Sequence, residues 1–366
     1  MQSLDFRFTD LSRLGRLGTM MSTNKRLSVG ICVPTVRERQ IREFLKRWGS
    51  FWSCYEQEAY DVVLFIHEDN PGKAFELPKL PGLKIVHTCQ ADIAPQLGEA
   101  EWIIPRGSGA SRSFPMFLSW RHGCEYMLTL DDDCYPLDLE ATIFLDTHLT
   151  AFCQDRWFRT ISGIEPRGIP YGNRGRLQVL LNHGLWTGAP DLDAPRSLVE
   201  SRNGTKVMLR AEREVIPPGM WFTLCAMNVC YRRDVIPAAY NLLMGLDTVG
   251  FDRFDDIWSG LLIKRIADHL GFYITNGIPY VHHAKASDPF KNLQKEVAGL
   301  EIHEYFWRYI ASAPLQTEAT ISDCYRTLAL WIYDFPIKEV RMKKYTAYFK
   351  RLSEAMLCWL KLFSDA

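Results

Sequence analysis

From Leu27 onward, short apolar runs alternate with stretches of helical periodicity. Four runs, LSVGICV, DVVLFIH, LKIVHT and EYMLTL, have the length and the β-branched content that buried strands favour. The segment IREFLKRWGSFW and a stretch near residues 114–121 place apolar residues at helical spacing. Strands and helices that alternate in this way predict an α/β fold, in which a mostly parallel sheet is flanked by helices.

The second half of the chain has a less regular pattern. Residues 157–233 are rich in proline and glycine. They contain three predicted strands, FRTISGI, RLQVLLN and FTLCAMNVCY. We expect this half of the domain to face a sugar or an acceptor. In FDDIWSGLLIKRIADHLG, apolar residues at helical spacing and a glycine at the C-cap position predict a helix that ends before Gly271. Two short strands, FYIT and PYVHH, are predicted next, and the pattern is helical from about Phe290 onward.

These patterns divide the chain into three parts. Residues 1–26 form an N-terminal extension to which we assign no role in the fold, residues 27–289 form the α/β domain, and residues 290–366 form a helical region. This last region contains the aromatic residues Tyr305, Trp307, Trp331 and Trp359. We expect them to pack inside the protomer, and a contact in a homo-oligomer is the alternative.

Composition argues against several classes of function. The 43 basic residues cancel the 43 acidic ones, so no long-range field would attract nucleic acid or an anionic membrane, and any anion site must be local. The 10 cysteines include no C-x-x-C pair, which favours reduced thiols in the cytoplasm over a zinc or redox motif. The first residues lack the apolar core of a secretory signal, and no apolar run approaches the roughly 20 residues that span a bilayer.

Polar residues follow three of the predicted strands. They are Pro34, Thr35 and Arg37 after the first strand, Glu68 and Asp69 after the second, and Asp131, Asp132 and Asp133 after the fourth. Ligands of such sheets bind beyond the carboxyl ends of the strands. We therefore expect the first two groups to contact a nucleotide.

The aspartate triplet predicts a metal site. Clustered carboxylates are hard oxygen ligands, and a bound diphosphate needs a cation such as Mn²⁺ or Mg²⁺ to neutralise it. His282 and His283 follow another predicted strand, and a histidine that faces the triplet could add a nitrogen ligand. A solvated turn and a structurally satisfied histidine pair remain the alternatives.

Two cationic residues are candidates for binding phosphate oxygens. Lys285 lies two residues after the histidine pair. Arg112 lies in SGASRSF at the start of a helix, where free backbone amides also favour an anion. An ordinary surface arginine is the alternative for Arg112.

Aromatic and acidic side chains point to sugar binding. Asp255 and Asp256 begin the predicted helix, and because adjacent acids cannot both cap it, one is free for a sugar hydroxyl. A flat apolar ring beside planar hydrogen-bonding groups is typical of sugar sites. The residues that form this combination are His183, Trp186, Asp191 and Asp193. Packing in the core is the alternative for Trp186.

Several long segments identify a family resemblance. The segments are NHGLWTGAPDLDAP, TLCAMNVCYRRD, RFDDIWSGLLIKRIADHLG, PYVHHAKASDPFKNL and LTLDDDC. They resemble the reversibly glycosylated polypeptides, the UDP-arabinopyranose mutases of plants, from about Leu27 to the C-terminal helices. The resemblance implies a GT-A-like fold, a divalent metal without flavin or NAD, and interconversion of the pyranose and furanose forms of a nucleotide-linked sugar.

The resemblance also implies roles for individual residues. The segment RGIPYGNR matches the family's arginine motif, so Arg167 takes the reversibly glycosylated position and Arg174 the supporting one. The acid triplet matches Asp131 to Asp133, the single histidine before the family's Ser-Lys matches His283, and the family's A-C-R-C-F matches the segment that contains Arg112. Because arginine is a weak nucleophile, a carboxylate such as Asp255 or Asp256 would have to assist it.

Two departures from the family pattern concern the substrate. The family's Gln-Asp-Gly-Asp-Pro is replaced by His67 to Pro71, and Ile169 replaces an aromatic residue. These changes fit a different base or a hexose, for example GDP-L-galactose in place of UDP-L-arabinose. Two other functions stay open, namely a glycosyltransferase that moves the sugar to an external acceptor or to itself, and a non-enzymatic scaffold that binds nucleotide sugars.

Overall fold

The computed structural model describes residues 26–55, 60–137, 143–160, 164–203, 209–210, 212–245, 249–284 and 287–364. The strands are β1 Leu27–Thr35, β2 Tyr60–Glu68, β3 Lys84–Cys89, β4 Tyr126–Leu130, β5 Cys134–Pro136, β6 Val179–Gly188, β7 Arg213–Val215, β8 Asn228–Arg232 and β9 Tyr273–His283. The helices are α1 Glu38–Tyr55, α2 Ile93–Leu97, α3 Ser113–His122, α4 Phe144–Thr150, α5 Ala194–Asn203, α6 Asp255–Leu270, α7 Pro289–Ala311, α8 Ile321–Tyr333, α9 Phe335–Lys338 and α10 Thr346–Lys361.

One mixed sheet joins the strands of the described part of the chain. Its order is β3-β2-β1-β4-β8-β6-β9-β5, and β7 pairs with a different stretch of β9. The predicted α/β class is confirmed, with parallel pairing from β3 to β4 and again between β6 and β9. Strand β8 runs antiparallel to both of its neighbours, as β5 and β7 do to β9, so the sheet is less uniformly parallel than predicted.

Both faces of the sheet are buried. Along β2, Val63 and Phe65 point into the cluster that contains α3 and α6, while Val62 and Leu64 point into the cluster formed with α1 and α4. This alternation explains why β2 is apolar almost without interruption. Glycine is needed at position 30 of β1, because a Cβ there would lie 1.8 Å from Oγ of Ser119 on α3.

The prediction for α6 is confirmed, whereas several predicted strands are wrong in extent. Gly271 caps α6 with φ of 71°. The predicted pair FYIT and PYVHH is one strand, β9, because both halves pair with β6 in the same direction. FTLCAMNVCY is extended only from Asn228 onward, and the described residues of FRTISGI form no strand. The hydrophobic pattern of a segment does not show where the neighbouring strand that pairs with it ends.

The C-terminal helices share the core of the α/β domain. Trp258 of α6 packs on Phe306 of α7 with ring centroids 4.5 Å apart. Trp359 of α10 is buried and donates a hydrogen bond to the carbonyl oxygen of Ile236 at 3.4 Å. Trp359 therefore packs inside the protomer, as expected. None of the helices in the described ranges is long and apolar enough to cross a membrane.

Candidate active site

A cavity of about 1340 Å³ lies beyond the ends of β4, β6 and β9. It is closed on one side by the start of α6 and by α7, and its volume exceeds that of a typical small-ligand pocket. Most of the residues predicted from the sequence line it. They are Arg37, Arg112, Asp131, Asp133, His183, Trp186, Asp191, Asp193, Asp255, Asp256 and His283.

Asp131 is neutralised by Arg112. Two guanidinium nitrogens of Arg112 donate to the two carboxylate oxygens of Asp131, one of them at 3.1 Å. Burial by itself would raise the pKa of Asp131, but the charge and the hydrogen bonds of Arg112 outweigh it and hold that pKa below its usual value. Asp131 is thus an ionised partner of Arg112, and Arg112 is not an ordinary surface arginine.

Asp132 is held by the end of β1. Its carboxylate accepts from the hydroxyl of Thr35 at 2.6 Å and from the guanidinium of Arg37, which also reaches Asp133 at 3.0 Å. Asp132 is 2% exposed and does not line the cavity. Burial raises the pKa of Asp132 in spite of these bonds. Thr35 and Arg37, predicted to contact a nucleotide, here organise the aspartate triplet.

Asp133 and His283 face each other across the β5–β9 edge. Nδ1 of His283 donates to the carbonyl oxygen of Ala189 at 2.7 Å, which leaves Nε2 as the nitrogen with a free lone pair. Nε2 lies 3.8 Å from Oδ1 of Asp133. Within the described ranges, no three His, Cys, Asp or Glu side chains form a complete ligand set. Oδ1 of Asp133 and Nε2 of His283 are an oxygen and a nitrogen that could ligate a divalent cation if its other ligands came from a bound substrate and water.

Two acids begin α6, the buried Asp255 and the half-buried Asp256. The N-cap position is Phe254 and has no side-chain cap, so neither acid caps the helix. Asp256 accepts from the backbone N–H of Ala226 at 3.0 Å and from that of Ile257 at 2.8 Å. Burial, followed by the charge of Asp256, raises the pKa of Asp255 to about 8. Burial, followed by the charge of Asp191, raises the pKa of Asp256 to about 6. The pair can therefore hold a proton near neutral pH.

An aromatic wall lines the same cavity. The ring of His183 lies 5.7 Å from that of Trp186 and 5.1 Å from that of Phe222, both edge to face. Burial lowers the pKa of His183 to about 4, so its ring is neutral. Trp186 packs on the core with one side and lines the cavity with the other. Asp191 lines the cavity as well, while Asp193 also accepts from the backbone N–H of Arg196 at the start of α5.

Besides Thr35, three described residues predicted to bind the nucleotide lie outside the cavity lining. Pro34 is in β1, directly before Thr35. Glu68 is fully buried and accepts from the backbone N–H groups of Ala74 and Phe75, at 2.8 and 3.2 Å. Asp69 accepts from the backbone N–H of Gly107 at 2.8 Å. Both carboxylates shape the loops beyond β2, and their nucleotide-binding role stays a prediction.

The structure does not bring the two arginines of RGIPYGNR to the cavity lining. Arg167 is exposed in a turn. Arg174 donates to both carboxylate oxygens of Glu165, at 2.6 and 3.0 Å, and to the carbonyl oxygen of Pro170 at 2.7 Å. The catalytic roles of Arg167 and Arg174 stay predictions. Lys285, predicted to bind phosphate, lies outside the described residues.

Comparison with known proteins decides the family. The sequence profile of the family described as "Reversibly glycosylated polypeptide" matches residues 24–366. UDP-arabinopyranose mutase 1 of Arabidopsis thaliana is 31% identical over 349 residues, which cover 92% of each chain. The chain belongs to the reversibly glycosylated polypeptide family. The resemblance inferred from the sequence motifs is thereby confirmed.

Other members of the reversibly glycosylated polypeptide family match at a similar level. Probable UDP-arabinopyranose mutase 2 of Solanum tuberosum is 32% identical over 354 residues, covering 92% of this chain and 89% of that protein. UDP-arabinopyranose mutase 1 of Oryza sativa subsp. japonica is 31% identical over 354 residues, covering 92% and 90%. Among solved structures, mouse xyloside xylosyltransferase 1 in its apo form matches with a TM-score of 0.28 and 12% identity, over 76% of this chain and 83% of that chain. A TM-score of this size is too low to bear on fold or function.

Several lining residues were missed from the sequence. Arg253 has a positive φ of 71°, and its Nε donates to the buried carboxylate of Glu296 on α7 at 2.7 Å. Lys291 and Lys295, one turn apart on α7, also line the cavity. The spacing of the two lysines in the sequence could have indicated them, because residues at i and i+4 share one face of a helix. The sequence pattern predicts a separate helical region from about Phe290 onward, and the lysine face of α7 is therefore not among the predicted site residues.

Proposed function

We propose that this chain is a nucleotide-sugar mutase that interconverts the pyranose and furanose rings of its substrate. One observation carries the proposal: a single cavity contains the Asp133–His283 pair, the acids Asp255 and Asp256, and an aromatic wall. Its relatives named UDP-arabinopyranose mutase are 31% identical over nearly the whole chain, which supports the same class of reaction. No flavin or NAD takes part in the proposed chemistry.

The proposed reaction needs one proton to leave and one to arrive. The bond from C1 to the diphosphate breaks, and its electron pair leaves with the diphosphate. The sugar's 4-hydroxyl loses its proton as O4 bonds to C1. The returning diphosphate then bonds to C1, the C1–O5 bond breaks, and O5 takes up a proton. Asp255 and Asp256, which hold a proton near neutral pH, can exchange it with these two oxygens.

The cavity also supplies binding groups for the two ends of the substrate. A divalent cation, Mn²⁺ or Mg²⁺, held by Asp133 and His283 would stabilise the negative charge of the departing diphosphate. Trp186 offers an apolar face on which a sugar ring can stack. A site that holds the reacting atoms in place favours ring closure over attack by water.

A second route uses Arg167 as the first acceptor of C1. In that route an arginine nitrogen bonds to C1 as the diphosphate leaves, and a carboxylate takes the arginine's proton. The exposed position of Arg167 means that its loop would have to reach the cavity. Peptide mapping by mass spectrometry after incubation with nucleotide sugar separates the routes, because only the second leaves a pentose or hexose mass on Arg167.

The substrate sugar and base are the finer part of the proposal. UDP-L-arabinose is one candidate, and a GDP-linked hexose such as GDP-L-galactose is the other, because residues 67–71 depart from the family pattern. In the structure His67 is buried, and burial lowers its pKa to about 4, so it is neutral beside the loop that follows β2.

An acceptor-free assay tests the proposed function. The purified chain is incubated with the pyranose form of either nucleotide sugar and Mn²⁺, with an EDTA-treated sample as the control for metal dependence. We expect a nucleotide-linked furanose, and the same final ratio when the reaction starts from the furanose. Hydrolysis alone, or transfer only after an acceptor is added, would favour the glycosyltransferase instead.

The scaffold alternative is tested with variants of the aspartate triplet. Asp132→Ala removes a buried carboxylate, and Asp133→Asn changes one at the cavity wall. We expect both to abolish interconversion, whereas a scaffold role would survive them. Thermal unfolding of each variant shows whether the loss reflects chemistry or folding.

A further inference from the structure

The cations that line the cavity fall into two groups. Arg37, Arg112, Arg196 and Arg253 each form an ion pair with a carboxylate. Lys291 and Lys295 of α7 line the same cavity, and neither forms an ion pair with any carboxylate in the described ranges. Among the described residues, Lys291 and Lys295 are therefore the lysine or arginine side chains of the lining that form no ion pair.

The acids nearest to these lysines on α7 are engaged elsewhere. Asp288 caps the helix, where its carboxylate accepts from the backbone N–H groups of Phe290 and Lys291 at 3.0 and 3.4 Å. Glu296 is 3% exposed and accepts from Arg253 and from the backbone N–H of Ala194, both at 2.7 Å. Neither carboxylate is placed to neutralise a lysine.

The helix is tied to the cavity wall at the level of the lysines. The carbonyl oxygen of Lys295 accepts a hydrogen bond from the backbone N–H of Asp252 at 2.9 Å. Asp252 begins the segment that leads through Arg253 into α6, and all of these residues line the cavity. At its other end, α7 starts a few residues after His283. The lysine face thus lies between the Asp133–His283 edge and the Arg253 segment.

We propose that Lys291 and Lys295 bind the diphosphate of the nucleotide sugar, which rests on the proposed function. A diphosphate in this cavity meets Asp131, whose charge is balanced by Arg112, and Asp133, which shares Arg37 with Asp132. It therefore needs further positive charge, and an ammonium acts on phosphate as a point charge without a fixed geometry. Two such groups one helical turn apart can contact the oxygens of both phosphates.

Binding of UDP and GDP to charge-removing variants tests this inference. Isothermal titration calorimetry with Mn²⁺ present compares the wild type with Lys291→Gln, Lys295→Gln and the double variant. Lys361→Gln on α10, an exposed lysine outside the cavity, is the matched control. We expect each single change to weaken binding of the preferred diphosphate about tenfold and the double change more, since charge-assisted bonds to phosphate are strong. The three variants should bind uridine or guanosine, which have no phosphate, with the same affinity as the wild type.

Two further readouts decide between outcomes. Lys295→Arg should recover most of the affinity, and the double variant's affinity should depend less on salt concentration than the wild type's does. Unchanged diphosphate affinity in the double variant, while the wild type interconverts a nucleotide sugar, would overturn the inference and leave the proposed function standing. A wild type that binds neither diphosphate at millimolar concentration would overturn both.

Discussion

Gly109 leaves room for the carboxylate of Asp255, since a Cβ on Gly109 would lie 2.0 Å from Oδ2 of that acid. The glycine lies in the short helix that also carries Arg112, so the close approach places the carboxylate beside that helix at the wall of the cavity. Asp255, which exchanges a proton in the proposed reaction, can thus occupy its position because Gly109 has no side chain.

Gly109→Ala should displace Asp255 and reduce turnover. We expect kcat for the pyranose-to-furanose conversion to fall about 10- to 100-fold, because displacement of Asp255 would remove part of the roughly 10²- to 10⁴-fold that general acid–base catalysis contributes, while the affinity for UDP changes little. Steady-state kinetics and calorimetry measure the two quantities. Gly72→Ala is the control, since a Cβ there meets nothing within 4 Å and no positive φ is required. Equal turnover in the two variants would contradict the role of this contact.

Asp255 makes the stability of the fold depend on pH. Burial raises its pKa to about 8 in the folded state, whereas an aspartate in an unfolded chain titrates near about 3.9. Between about pH 3.9 and pH 8, Asp255 therefore carries a proton in the folded state but not in the unfolded state. The free energy of unfolding falls as pH rises through this range, by at most about 1.4 kcal/mol per pH unit from this group. Asp255→Asn removes that loss.

Urea denaturation at several pH values tests the dependence. Asp255→Asn should gain stability relative to the wild type as pH rises from about 5 to about 8.5. Asp61→Asn, an exposed position on β2, should run parallel to the wild type. A constant difference between Asp255→Asn and the wild type across this range would show that the folded state carries no such proton.

His283 should contribute to cation binding, and His282 should not. Successive residues of a strand point to opposite faces, and Nδ1 of His282 lies 3.3 Å from Oγ1 of Thr187 rather than near the aspartates. With UDP present, we expect His283→Gln to weaken Mn²⁺ binding about tenfold or more, and His282→Gln to leave it unchanged. Electron paramagnetic resonance of free Mn²⁺ gives the affinities, and equal affinities in the two variants would remove His283 from the site.

Arg112→Lys should destabilise the fold, because a lysine cannot reproduce the two-pronged contact with Asp131. The pair is largely buried, with side-chain exposures of 26% and 20%, so we expect a loss of about 1–2 kcal/mol in the free energy of unfolding. Arg42→Lys changes an exposed pair with Glu38 and should cost at most about 0.5 kcal/mol. Urea denaturation at neutral pH compares them, and similar small losses would mean that Arg112 is not structurally important.

Trp186→Ala should weaken sugar binding selectively. Loss of the aromatic face is expected to raise KM for the nucleotide sugar about tenfold, while the affinity for UDP stays the same. Trp157→Ala changes a half-exposed tryptophan outside the cavity and serves as the control. An equal loss of affinity for the sugar nucleotide and for UDP would place Trp186 at the nucleotide rather than the sugar.

Much of the fold and the family could be predicted from the sequence. The strands β1, β2 and β4 are apolar runs because both of their faces are buried, and α6 shows helical spacing with a glycine cap. The aspartate triplet lies at the end of β4, as predicted, because three adjacent carboxylates interrupt the apolar run YMLTL. Local periodicity records burial, and these features depend on burial alone.

The state of each site residue was decided only by tertiary structure. Arg37 meets Asp132 across 95 positions of sequence, and Glu296 meets Arg253 across 43. Such contacts leave no local pattern, so the sequence identified the acids without showing which are paired with arginine and which face the cavity. For the same reason, it placed α7 in a separate helical region, although its lysines line the site. Hydrophobic spacing along a chain specifies which side chains are buried, whereas the pairing of charges depends on which distant segments the fold brings together.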